Sequence, residues 1–302
     1  MSHRFVRVGK GRLLFAAGTA VVAGLAVAAV GAPLSASAQS TAPGGPAARL
    51  AAASAGAPAA ARTGSPLPTV VLVHGAWADS SSWDGVIDRL RQAGYPVVAA
   101  ADPLQGLAQD SAAVASLLRS IKGPVILAGH SYGGAVITNA AAGHPNVKAL
   151  VYIAAFAPDK GESVGGLIAK KVAHPIAALP LASYPVVNAN GTTDTDYIID
   201  PAKYPQVFAG DVNPALAADM AAGQRPAASG AVSQASAQAA WRTIPSWYLV
   251  AKQDHAIAPD LERFMAARAH AHTVESNGSH SVMVSHPDTV AQLIETAARS
   301  TR

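Results

Sequence analysis

The chain has 302 residues, half of them apolar, and no cysteine. That is ample apolar surface for a large core, and the missing thiols exclude cysteine nucleophiles, cysteine-ligated metals, disulfides and a lipoprotein anchor. The formal charge of +4 sits at the N-terminus: removing Arg4, Arg7, Lys10 and Arg12 from the 22 basic residues leaves 18, equal to the 18 acidic ones. A balance so near neutral argues against a nucleic-acid partner, which requires a basic face.

Those four cations form a basic head with no acidic neighbour. Leu13 to Val30 follows as an apolar run, and Ala36-Ser37-Ala38 is a small-x-small cleavage signal. The pattern predicts a secretory signal peptide over residues 1–38, cut after Ala38. The expected location is therefore secreted or periplasmic, with no stable membrane anchor after processing. The alternative is an uncleaved anchor, since the apolar run exceeds the minimum. No paired arginines precede that run, which points to the general export route. No stretch after residue 40 is apolar enough to span a membrane.

Gln39 to Pro68 is Ala, Pro, Gly and Ser with little else. Such a segment cannot bury a core and reads as a disordered tether. From Thr69 onward short apolar runs alternate with amphipathic stretches. The runs are Thr69–Val73, Val97–Ala100, Val125–Ala128, Ala149–Ala154, Trp247–Ala251 and His272–Glu275. Their continuous hydrophobicity suits strands buried on both faces. Between them, Trp83, Val86, Ile87 and Leu90 share one helical face; so do Val114, Leu117, Leu118 and Ile121, and Val290, Leu293, Ile294 and Ala297. The expected fold is α/β: a mostly parallel central sheet with helices on both faces. The final helix is expected to start at Ser285, with Pro287 in its first turn and Asp288 at capping-box spacing. Pro158 to Arg242 breaks the rhythm. A structureless loop of that length is unlikely in a compact domain, so it reads as an inserted cap of short helices over the sheet's carboxyl edge.

The chemistry is written in Gly129-His130-Ser131-Tyr132-Gly133. This Gly-x-Ser-x-Gly follows an apolar run and opens the Ala-rich helical stretch Gly134 to Ala142, which is the pattern of a nucleophile elbow. Glycine makes room for a tight turn around a strained serine, and the helix N-terminus favours developing negative charge. A nucleophilic serine needs a base, and the base an orienting acid, here in the order Ser, acid, His. Asp254, after the run Trp247–Ala251, is the expected acid. Asp159 is the fallback, and Asp260 reads as a helix cap. His280, between the last strand and the last helix, is the expected base. His286 reads as a helix-end residue, and His255 as pointing away from the acid. His144, His174, His270 and His272 carry no motif. The oxyanion needs two backbone donors: the Tyr132 amide, and the Ala76 amide in His74-Gly75-Ala76-Trp77 after the first strand. Trp77 is expected to line the substrate pocket and His130 to stand next to the nucleophile at the substrate site. Trp83 reads as core. No phosphate loop or metal-ligand spacing is present, so no cofactor or metal is expected.

His74-Gly75-Ala76-Trp77 with Trp83, the elbow Gly129–Gly134, and Trp247-Tyr248-Leu249-Val250 before Asp254 resemble the α/β-hydrolase superfamily, over nearly all of residues 69–298. More narrowly they resemble bacterial esterase-like members related to the plant methylesterase and hydroxynitrile-lyase group. The resemblance implies Ser131, Asp254 and His280 as triad, Ala76 and Tyr132 as oxyanion hole, and a small-molecule ester as substrate. It also implies departures. Lyases of that group carry Thr where this chain has Gly75, and Lys after the catalytic histidine where this chain has Ser281. Both favour hydrolysis over cyanohydrin cleavage. Another carbon–carbon bond cleaver, a cofactor-free haloperoxidase and a catalytically silent binding protein remain open on the same triad. Leu167, Ile168, Val172, Ile176, Leu179, Tyr184, Tyr197 and Phe208 in the cap suit either an apolar pocket or core packing.

Overall fold

The computed structural model describes residues 66–301. The predicted leader 1–38, and the tether 39–68 except its last three residues, lie outside the described residues. Among the described residues nine strands run in chain order: β1 (Thr69–Val73), β2 (Val97–Ala100), β3 (Val125–Ser131), β4 (Val147–Ala155), β5 (Leu181–Val187), β6 (Thr193–Ile199), β7 (Ala227–Ala228), β8 (Ser246–Ala251) and β9 (His272–Ser276). Ten α-helices accompany them: α1 (Asp84–Gln92), α2 (Leu107–Ser120), α3 (Tyr132–Ala140), α4 (Val164–Ile168), α5 (Tyr204–Phe208), α6 (Pro214–Gly223), α7 (Ser229–Ser233), α8 (Pro259–Arg268), α9 (Val282–Ser285) and α10 (Pro287–Ser300). None is long and apolar enough to cross a membrane.

Six strands form one sheet in the order β2-β1-β3-β4-β8-β9, and every pairing in it is parallel. Side chains alternate across a strand, so β1 feeds two cores. Val71 and Val73 join Val114, Leu118, Leu127, Val136 and Met265 on the face covered by α2, α3 and α8. Val70 and Leu72 join Trp83, Val86, Leu90, Ile126, Val290 and Ile294 on the face covered by α1 and α10. With both faces covered, β1, β3, β4 and β8 are buried almost throughout, whereas the edge strand β9 is exposed except at Ser276, which corrects the expected two-face burial of His272–Glu275. Truncating a fully buried residue such as Leu72 to Ala would cost about 2–5 kcal/mol.

Two local expectations are corrected. The last helix begins at Pro287, with His286 before it making no side-chain cap bond. Ser285 ends α9 and its hydroxyl lies 2.9 Å from His286 Nδ1, while Asp288 pairs with Arg89 of α1. Segment 158–242 holds α4, α5, α6 and α7, but also a three-stranded antiparallel sheet in the order β5-β6-β7. Its hairpin turns at Gly191, whose φ of +80° is open to glycine at no steric cost. The Asn188 amide donates to the Thr192 carbonyl at 2.8 Å to close the turn. Thr193, Asp194, Thr195 and Asp196 make β6 too polar to read as a strand; its backbone ladder with β5 holds it.

Candidate active site

Ser131 is the last residue of β3 and the residue before α3, with φ 53° and ψ −123°. A non-glycine residue there stores about 1–3 kcal/mol of strain, which the neighbouring backbone sustains by close approach. A Cβ on Gly133 would lie 2.6 Å from the Val73 and His74 carbonyl oxygens, and one on Gly75 would lie 2.6 Å from Ser131 Cβ. Both contacts forbid a side chain.

The Ser131 hydroxyl donates to His280 Nε2 at 2.8 Å. His280 donates from Nδ1 to Asp254 Oδ2 at 2.5 Å. Asp254 Oδ1 accepts the Ala256 and Ile257 amides at 2.6 and 2.7 Å. His280 and Asp254 are buried, so these polar contacts are shielded from water and strengthened by the low local dielectric. Three residues, Phe208, Asp211 and His130, hold the histidine loop. Ser281 donates from its amide and its hydroxyl to the Phe208 carbonyl, at 3.0 and 2.9 Å. Ser279 donates to Asp211. His130 donates from Nε2 to the His280 carbonyl at 2.9 Å. Phe208 also packs its ring 4.7 Å from the His280 ring.

His130 therefore stands behind the base. It is fully buried and is not among the residues that line the cavity, which corrects its expected place in the substrate site. Burial, with His280 beside it, holds its pKa well below the usual histidine value. It is the neutral Nε2–H tautomer, as its carbonyl acceptor requires.

Ser131, Ala76 and Tyr132 together border a cavity of about 370 Å³. Tyr132 is the first residue of α3, so its amide has no intrahelical acceptor. No acceptor among the described residues takes the Ala76 amide. Trp77 lines the same cavity, and its indole donates to the Tyr197 carbonyl of β6 at 2.9 Å. Phe156, Val164, Ile168, Leu179, Ala231, Val232 and Ile257 complete much of the wall, and among the described residues no charged side chain takes part. Of the apolar cap residues, Ile168, Leu179 and Tyr197 reach the cavity, Leu167 and Phe208 are core, and Tyr184 is exposed.

The remaining candidates stand elsewhere. Asp159 pairs with Arg242, outside the serine–histidine contact. Asp260 lies in the first turn of α8 and accepts from the His174 amide and ring and from Arg263. His255 is exposed, and Trp83 is core.

Sequence reasoning missed a carboxylate layer under the site. Asp110 accepts the Tyr132 hydroxyl at 2.7 Å and the Gln105 and Gly106 amides at 3.0 and 3.1 Å. Burial and Asp110 raise the Tyr132 phenol well above the usual range, so it stays a donor. His74 accepts the Asp102 amide at Nε2 (3.1 Å) and donates from Nδ1 to the Gly75 carbonyl (2.9 Å). Burial lowers its pKa, and the ring is neutral. Asp102 is pushed up to about 8 by burial and by Asp110. Asp110 had a legible signal: it lies between Leu107 and Val114 on the apolar face of α2.

The model of the alpha/beta hydrolase family matches residues 70–293. The chain belongs to this family. The superfamily resemblance drawn from its motifs is thereby borne out. This alpha/beta hydrolase is similar to a carbendazim-hydrolysing esterase of Nocardioides, 34% identical over 121 residues. That match covers 36% of this chain and 50% of the relative, so it spans about half the relative's length. An alpha/beta hydrolase of Aspergillus novofumigatus is 25% identical over 254 residues, covering 76% of this chain and 96% of its own. Among solved structures, a methylesterase from Arabidopsis superposes with a TM-score of 0.64 at 17% identity, over 78% of this chain and 100% of that one. At that identity the likeness is one of fold.

Proposed function

We propose that the chain is an exported serine hydrolase that cleaves carboxylic esters of small, uncharged, apolar molecules. One observation carries the reading: the Ser131 hydroxyl, His280 and Asp254 form a continuous hydrogen-bonded line, 2.8 and 2.5 Å per step, beside an apolar cavity. His280 Nε2 accepts, so it takes the serine proton as Oγ attacks the ester carbonyl. The Tyr132 and Ala76 amides receive the oxyanion. Collapse of the tetrahedral adduct expels the alkoxide, which takes the proton from His280. Water then repeats the sequence on the acyl-enzyme, releasing the acid and restoring Ser131. Asp254 holds the imidazole and stabilises its charged form.

The wall without charged groups supports an uncharged substrate, because an ion inside it would lose its hydration without a partner. The name of the esterase relative agrees with ester chemistry. Two features favour hydrolysis over cyanohydrin cleavage. A side chain at Gly75 would strike Ser131, and Ser281, whose hydroxyl is committed to the Phe208 carbonyl, stands where a lyase-type ammonium would be. The basic head, apolar run and Ala36-Ser37-Ala38 support export.

The test is a panel of p-nitrophenyl esters of increasing acyl length, with mandelonitrile alongside, on wild type and Ser131→Ala. Hydrolysis that vanishes in the variant, with no cyanide release, is expected. Efficient cyanide release, or hydrolysis equal in both proteins, would overturn the reading. For export, the secreted protein is expected to begin near Gln39 by mass spectrometry. An exported chain that retains Met1 would count against cleavage.

A further inference from the structure

Glu262, on α8, is fully buried. Its Oε2 accepts the Ala251 amide at 3.2 Å. Its Oε1 is equally buried and meets no N–H or O–H among the described residues. The Ala251 carbonyl in turn accepts the Asp254 amide at 3.2 Å, which sets another acceptor, the Asp254 carboxyl, on the same turn and beside Glu262. Two carboxylate oxygens cannot bond each other without a proton between them. Asp254 already has three donors: the Ala256 amide, the Ile257 amide and the His280 ring. Glu262 has one. The negative charge is better stabilised on Asp254, and the proton stays on Glu262.

The other ionisable groups around the pair leave this unchanged. Tyr248 has its hydroxyl directed to the Ala155 carbonyl, and burial keeps it protonated. Arg263 is committed to Glu275 and Asp260. His280, with the His130 ring tilted behind it at 4.6 Å, lies beyond Asp254. Burial and the neighbouring Asp254 charge both push Glu262 well above the usual carboxylate range.

We propose that Glu262 is a positioning residue for the reaction: a neutral carboxylic acid that gives its proton to Asp254 in a hydrogen bond and so fixes the carboxylate that orients His280. This rests on the serine-hydrolase reading above. It differs from a packing role because it sets charge as well as shape. The donated proton spreads part of the Asp254 charge onto Glu262, which restrains how strongly Asp254 holds a protonated His280.

The experiment is the pH dependence of kcat/KM for wild type, Glu262→Gln, Glu262→Leu and Ser131→Ala. Glutamine keeps both bonds, accepting from Ala251 and donating to Asp254 without a charge. It should rescue, with kcat within about threefold and the acid-limb midpoint within about 0.3 of wild type. Leucine removes the donor. Asp254 then holds the imidazolium more tightly, so the midpoint should rise by about 0.5 or more while kcat falls about tenfold. Were Glu262 ionised in the wild type, Glu262→Gln would delete an anion near His280 and lower the midpoint by about one unit. That result overturns the proposal. So does a Glu262→Leu profile identical to wild type. If Glu262→Leu does not fold, the isosteric glutamine profile decides alone. Ser131→Ala separates the two readings. Full activity there overturns the hydrolase reading and this proposal with it, whereas loss of activity there with a lowered Glu262→Gln midpoint overturns only the assignment of Glu262.

Discussion

Tyr132 donates its phenol hydroxyl to Asp110 Oδ2 at 2.7 Å, which ties the first residue of α3 to the first turn of α2. The same Asp110 carboxylate takes the Gln105 and Gly106 amides and so orders the loop before α2. The amide proposed to receive the oxyanion thus belongs to a residue whose side chain is anchored from below. Tyr132→Phe should lower kcat about tenfold with KM within about twofold, because the loss falls on the transition state. Steady-state kinetics on a variant of unchanged melting temperature checks this. A pure KM effect would place Tyr132 in substrate binding instead.

Ser131→Ala and His280→Ala should each reduce kcat by at least about a thousandfold, and the double variant should lose little more, since the three residues act as a unit. Asp254→Asn should also be severe, because the amide favours the wrong histidine tautomer. Asp159→Asn should leave turnover near wild type, as Asp159 faces Arg242. Kinetics with circular dichroism on each variant provides the measurement. The reverse order between Asp254 and Asp159 would move the acid to the end of β4.

Much of the frame was readable because strands buried on both faces have no choice but to be apolar. Val70–Val73, Ile126–Ala128 and Leu249–Ala251 are fully buried, and each stood out as an unbroken run. Ser131 and Asp254 followed, because each lies at or just beyond the carboxyl end of such a strand, and His280 followed from its place between the exposed edge strand β9 and the last helix. The hairpin β5–β6 was hidden for the opposite reason. Its residues are largely solvated, so Thr193-Asp194-Thr195-Asp196 carries no apolar alternation. Asn190-Gly191 was the available turn signal. Glu262 left no trace either. Within Asp260-Leu261-Glu262-Arg263 it looks like any charge on a surface helix, and only the packing of α8 against β8 buries it. His130 was misplaced because chain proximity to Ser131 says nothing about which side of the sheet's edge the ring faces.

Asp102 gives a pH dependence to stability. Its folded pKa of about 8 lies far above the ordinary carboxyl value. The folded chain keeps a proton that the unfolded chain releases near pH 4, so this group's contribution is fully present below that pH. It is lost progressively as pH rises through about 8. Asp102→Asn should remove that slope and exceed wild type in stability at pH 9 by about 1–3 kcal/mol. Urea unfolding at pH 5 and pH 9 reads the difference. Equal slopes in both proteins would show that Asp102 ionises freely in the fold.

The cavity should set acyl-chain preference. Ala231 is buried and lines it, so Ala231→Phe removes volume without adding charge. Its kcat/KM should fall at least about tenfold for octanoate and less than about threefold for acetate, a difference of the size that apolar pockets produce. Uniform loss across the panel would indicate that the phenyl group disturbs Ser131 itself.

The central claim is that Ser131 becomes acylated during turnover. The mature protein is treated with a fluorophosphonate, digested, and mapped by mass spectrometry while residual ester hydrolysis is followed in the same sample. One adduct per chain on the peptide containing Ser131, with hydrolysis lost in proportion to labelling, is the result expected here. Undiminished hydrolysis in a stoichiometrically labelled chain, or inactivation with the adduct on another residue, would contradict it.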